Sequence, residues 1–99
     1  MAKEVIWSLK AQESRKDILT YWNNRNKSNI YSIKLNQLFK ETIHLITVFP
    51  HSGRLTDIEN IRFRFVRDYI IVYEESQREI IILLIWDSRQ NPDKLKYLK

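Results

Sequence analysis

Ile61–Arg89 reads IRFRFVRDYIIVYEESQREIIILLIWDSR, three runs of strand-forming residues parted by short polar breaks. The last run, Ile80–Trp86, is apolar throughout and rich in β-branched residues. It is bounded by Ser76, Gln77, Arg78 and Glu79 before it and by Asp87 and Ser88 after it. Such a run predicts a strand covered on both faces and central in its sheet. The run before it, Tyr69–Glu74, is nearly as apolar. The first, Ile61–Arg67, alternates, so that Ile61, Phe63 and Phe65 point one way and Arg62 and Arg64 the other. That basic side is where function is to be sought.

Upstream of this meander, Glu4–Leu9 places Val5, Trp7 and Leu9 on one side and predicts a short strand at or near a sheet edge. From Ala11 no Gly or Pro interrupts the chain before Pro50, and the polar patch Asn23–Asn29 is its natural break. Two helices fill the interval. Ser14, Ile18 and Trp22, with Leu19 alongside, give the first a narrow apolar stripe. Tyr31, Leu35, Leu38, Thr42, Leu45 and Phe49 recur at steps of four and three in the second, flanked by Phe39, Ile43 and Ile46. Ser28 or Asn29 suits its N-cap, and Pro50 ends it by disfavouring the helical region at Phe49. Pro50, His51, Ser52 and Gly53 form a turn, Asp68 and Tyr69 a tight connection, and Glu75–Arg78 another. Residues 90–99 are expected to form a polar tail. The order β-α-α-β-β-β predicts a single α+β domain over residues 1–99, a helical hairpin packed on one face of a mainly antiparallel four-stranded sheet.

Ninety-nine residues, 43% of them hydrophobic, suffice for one core. Cysteine is absent, which excludes disulfides and thiolate metal sites. The start MAKEVIW lacks the apolar segment of a signal peptide, and no run is long enough to span a bilayer, so a cytoplasmic protein without membrane contact is expected. Seventeen Lys and Arg against twelve Asp and Glu give a formal charge of +5, which points to a polyanion or an acidic protein as partner.

Arg54, Arg62, Arg64, Arg67 and Arg89 are the candidate binding residues for nucleic acid or a macromolecular target. Arg62 and Arg64, on one face of a strand, are about 7 Å apart, near the spacing of successive phosphates. Their alternative is a solvated sheet face or pairing with Asp57, Glu59 or Glu74. Phosphodiester cleavage needs a base, an acid and a group that holds the developing charge. Among histidines, His44 falls inside the second helix, whereas His51 lies in the turn and is freer to act, with an ordinary surface role as its alternative. Tyr73 and Tyr97 are possible proton donors, although Tyr73 shares its parity with Tyr69 and Ile71 and equally reads as core. No metal-ligand spacing, glycine-rich phosphate loop or GxSxG element is present, so no metal or cofactor is expected.

The order of these pieces resembles the RelE/ParE superfamily of toxins from bacterial type II toxin–antitoxin modules. The matching segments are PHSGR with Pro50, Gly53 and Arg54; NIRFRF with Ile61 and Arg62; DYIIVY with Tyr69, Val72 and Tyr73; and IIILLIWDSR closing on Arg89. The likeness spans roughly residues 4–95. It implies a toxin that inhibits growth until a cognate antitoxin, expected to be acidic, covers it. One branch cuts mRNA on the ribosome as an endoribonuclease, and for it the resemblance would give roles to Arg62, Arg64 and Arg89, with Tyr97 and His51 as further catalytic candidates. The other acts on DNA gyrase and is not a nuclease. Ile70 stands where the ribonuclease branch carries an arginine, and Leu95 stands where it carries its tyrosine. The uninterrupted hairpin and the GR turn followed by Asp57 and Ile58 look more like the gyrase branch. A non-toxic binding module with a basic sheet face is the remaining reading.

Overall fold

Ser8 divides the first strand from the first helix. Its extended backbone (φ −65°, ψ 159°) stops β1 at Glu4–Trp7, and its Oγ accepts the Ala11 N–H at 3.0 Å as the N-cap of α1, Leu9–Asn26. The same hydroxyl donates to the Leu83 carbonyl at 2.8 Å, fastening the helix start to the sheet. The first strand is therefore two residues shorter than predicted. Leu9, expected on its core side, is instead a helix residue left 72% exposed.

The computed structural model describes residues 2–90. After α1 come α2 (Ile30–Val48), a 3₁₀ turn (Pro50–Ser52), β2 (Arg54–Leu55), β3 (Ile61–Val66), β4 (Tyr69–Glu75) and β5 (Glu79–Asp87). The tail expected from residue 90 lies, from Asn91 on, outside the described residues. The sheet order is β1-β5-β4-β3-β2, with β1 parallel to β5 and every other pair antiparallel. The α+β class and the helical hairpin on one face are as expected, but the sheet has five strands rather than four. The extra strand is two residues long, too short to leave a periodicity in sequence.

In α2 the buried residues are Ser32, Leu35, Phe39, Ile43, Ile46 and Thr47. Phe39, Ile43 and Ile46, read as the flank of the stripe, are its centre. Leu45 and Phe49, read as part of it, are exposed. The helix is apolar on both sides of the predicted line, so its period is defined while its rotation is set by the sheet beneath. Phe39 packs edge-on against Tyr69 with ring centroids 5.8 Å apart. Burying each large core side chain contributes about 1.5–3 kcal/mol.

β5 is an interior strand, between β1 and β4, while β4 holds the middle of the five. The unbroken apolar run of β5 comes from a bulge and from a second apolar cluster, not from helices on both faces. Val72 pairs with Leu84 but Tyr73 with Ile82, so Leu83 is an extra residue in a β-bulge. The bulge resets the parity: Ile80, Ile82 and Ile85 all join the core under the helices. Leu84 turns to the opposite face, in a smaller cluster with Ile61, Ile70 and Val72, against which Phe63, Leu83 and Trp86 pack half-buried. Among the described residues no helix covers that second face.

Candidate functional site

The turn after α2 is tied to the sheet through Gly53. Its N–H donates to the Tyr73 hydroxyl at 3.0 Å, and that hydroxyl donates to the Pro50 carbonyl at 2.7 Å. Arg62 Nη1 donates to the Gly53 carbonyl at 3.0 Å and to the His51 carbonyl at 3.4 Å. Tyr73 is fully buried. Burial raises its phenol pKa, outweighing the Gly53 hydrogen bond and the nearby Arg62 and Arg64, so it stays a neutral phenol. Cross-strand pairing places Arg62 opposite Tyr73 and Arg64 opposite Ile71. Both arginines therefore lie half-buried at the margin of the face that carries the helices, and Ile61, Phe63 and Phe65 lie on the bare one.

His51 projects from this turn, with Nε2 2.8 Å from Glu75 Oε1. Lys3 Nζ lies 3.2 Å from the other carboxylate oxygen and donates to the carbonyls of Ser76 and Gln77. Partial burial works to raise the Glu75 pKa, but the hydrogen bonds from Lys3 and His51 prevail and lower it. The three side chains border an open groove of about 710 Å³ whose apolar wall is Val48 and Phe49.

Arg89 lies at the other end of the sheet. Its Nε and Nη2 fork onto the two Asp87 carboxylate oxygens at 3.0 and 2.9 Å, which lowers the Asp87 pKa and raises that of Arg89. The guanidinium carbon is 6.0 Å from the Trp22 ring centroid, and Trp22 Nε1 donates to the Tyr69 hydroxyl at 2.7 Å. Burial raises the Tyr69 pKa against that hydrogen bond. A cleft of about 340 Å³ opens here between Asp17, Tyr21, Tyr69 and Arg89. Arg67 occupies the adjoining β3–β4 turn at φ 55°, where Ser88 N–H and Oγ donate to the Asp68 carbonyl at 2.8 and 2.6 Å. Arg54 lies on the bare face, its guanidinium 5.7 Å from the Phe65 ring centroid.

The five arginines thus fall in three places. Arg62 and Arg64 share the helix-side margin, Arg67 and Arg89 the β3–β4 end, and Arg54 stands apart. From Tyr73, beside Arg62, to Tyr69, beside Asp87, is four residues along β4, roughly 14 Å. His51 shares the Arg62 end, bound to Glu75. Tyr97 lies outside the described residues. Sequence reasoning passed over Lys3, Glu75, Trp22 and Asp87. Asp87 carried a local signal, a carboxylate two residues before Arg89, but the partners joining Lys3 to Glu75 are 72 positions apart.

A helical hairpin on one face of a sheet that is antiparallel except for its first strand, with a proline–glycine turn and dispersed basic residues, is the architecture of a RelE/ParE-type toxin. The model of the ParE toxin of the type II toxin–antitoxin system, parDE, matches residues 5–92. The chain belongs to the ParE toxin family and is a toxin component of a type II toxin–antitoxin system. Among solved structures it is similar to a chain of a chromosomal ParDE toxin–antitoxin system from P. aeruginosa. The two share 17% identity at a TM-score of 0.74, over 87% of this chain and 96% of that one, a likeness of fold. No curated protein matches the sequence.

Proposed function

We propose that this ParE-family toxin stops growth by acting on DNA gyrase in the cytoplasm, and that a cognate acidic antitoxin neutralises it. The separation of the arginines is the observation that supports gyrase over RNA. Cleavage of a phosphodiester calls for a charge clamp and a proton acceptor within hydrogen-bond reach of one reacting group. Here Arg62 is engaged with backbone carbonyls, Arg89 with Asp87, and His51 with Glu75. A partner-binding surface has no such requirement and can use Arg64, Arg67 and Arg89 singly.

Family membership and the ParDE neighbour support an antitoxin partner. The formal charge of +5 supports its being acidic, since opposite charge speeds encounter and discriminates against wrong partners. No helix among the described residues is long and apolar enough to cross a membrane. Induction in cells tests the target through reporter-plasmid supercoiling and transcript integrity measured side by side. Loss of supercoiling with intact transcripts is the expected result. Transcripts cut within codons, with supercoiling unchanged, would transfer the assignment to the ribosome-dependent nucleases.

A further inference from the structure

We infer that the sheet face left bare by the helices is the docking site of the chain's own C-terminal segment, residues 91–99. That face carries the smaller apolar cluster of β3, β4 and β5, which no described helix covers. Its middle is nonetheless as dry as the main core: Val72 is 0% exposed, Ile70 3%, Leu84 4% and Ile61 8%. Val72 pairs with Phe63 and Leu84, and Ile61 with Glu74, so the buried positions form a band that follows β4 from Ile70 past Val72 and ends at Ile61 on β3. Phe65, on the same face but beside the band, is 48% exposed. A band buried within one chain calls for a narrow cover from that same chain, a single segment rather than a second layer.

The chain has such a segment at the right end of the band. β5 stops at Asp87, which pairs with Tyr69 next to Ile70. There the Gln90 N–H donates to the Asp87 carbonyl at 3.0 Å and the Arg89 N–H to Asp87 Oδ1 at 2.9 Å, closing a turn that reverses the chain. The helix side of this strand end is occupied, since Ser14 Oγ of α1 accepts the Ile85 N–H at 3.1 Å. The open course from Gln90 is back over the bare face. Nine residues follow, NPDKLKYLK, and Pro92 favours an extended Asn91. Fully extended they reach about 30 Å, against roughly 20 Å for the length of β4.

The pattern of the segment suits the face. Leu95 and Tyr97 alternate with Lys94 and Lys96, so that in an extended chain the two apolar residues share one side and the lysines turn to water. Beyond Ile61 the band meets the β2–β3 loop, whose Asp57 and Glu59 are opposite in charge to those lysines. A second copy would instead bring +5 to +5. This inference goes beyond the gyrase reading and stands or falls without it.

The test is a NOESY spectrum of the methyl-labelled full chain, repeated on a mixture of labelled and unlabelled chain filtered for contacts between copies. Cross-peaks from the Leu95 methyls to those of Val72 and Leu84, absent from the filtered spectrum, are the expected result. Leu95→Glu/Tyr97→Glu should shift the Val72 and Leu84 amide resonances and raise the fluorescence of an added apolar dye severalfold, with the resonances of α1 and α2 in place. Leu95 cross-peaks to α1 or α2 instead, or cross-peaks only between copies, would overturn the proposal. So would the absence of any cross-peak together with dye binding unchanged by the double substitution, which would leave Phe63, Leu83 and Trp86 to cover the band by themselves.

Discussion

Gly53 is the chain's one glycine, and what requires it is space rather than backbone freedom. Its φ of −80° suits any residue, but a Cβ there would stand 2.9 Å from the Phe63 carbonyl and press on the Tyr73 hydroxyl. Gly53→Ala is expected to cost about 1–3 kcal/mol through overpacking, read as a lower urea midpoint. Tyr73→Phe should cost a similar amount, about 1–3 kcal/mol, because it leaves the buried Gly53 N–H unpaired. The carboxylates give a second expectation. The Glu75 and Asp87 pKa values are lowered from ordinary values of 4.5 and 3.8. A carboxylate depressed in the folded state adds stability above its unfolded pKa and loses it as pH falls through the folded one. Melting temperature should therefore drop as acid is added below about pH 4.5, and Glu75→Gln/Asp87→Asn should flatten that drop while lowering stability at neutral pH. At this scale the sequence marked Pro50, Gly53, Arg62 and Tyr73 as meaningful. It could not say that Arg62 holds carbonyls, because alternation shows that Arg62 and Phe63 oppose each other without showing which faces the helices.

The break between the two helices and the end of the second were legible, and their rotation was not. Polar Asn23–Asn29 marked the break, and Lys27 closes α1 there in the left-handed region (φ 54°, ψ 31°), its N–H on the Asn23 carbonyl. A lysine bears strain in that conformation that glycine does not, so Lys27→Gly should stabilise by about 1 kcal/mol, with Lys27→Ala giving no gain. Denaturant unfolding of the two variants checks it. In α2 apolar residues flank both sides of the stripe, so packing on the sheet rather than sequence chose Phe39 over Leu38 for the core. In β5 the bulge at Leu83 and a second apolar cluster on the bare face together produced a run that read as a strand covered on both sides. β2 escaped notice because its ladder to β3 is two residues long.

At the scale of the whole molecule, the described residues present separate surfaces: the His51 groove, the Arg89 end and the bare apolar sheet face. Length, pattern and motif order sufficed for the α+β hairpin-on-sheet architecture. Which surface works was not legible, because the Glu75 carboxylate that engages His51 and Lys3 is brought to them only by folding. Arg89 is the best single probe of the β3–β4 end. Its pair with Asp87 is half exposed and contributes at most about 1 kcal/mol, so Arg89→Ala should fold normally while losing toxicity in a growth assay. Unchanged toxicity would remove that end from the target interface. The central claim, action on gyrase, is tested most directly by incubating the purified chain with purified gyrase, ATP and relaxed plasmid. Inhibited supercoiling with gyrase-dependent cleaved plasmid is the expected result; full supercoiling at every concentration, from a preparation that cuts ribosome-bound mRNA, would contradict it.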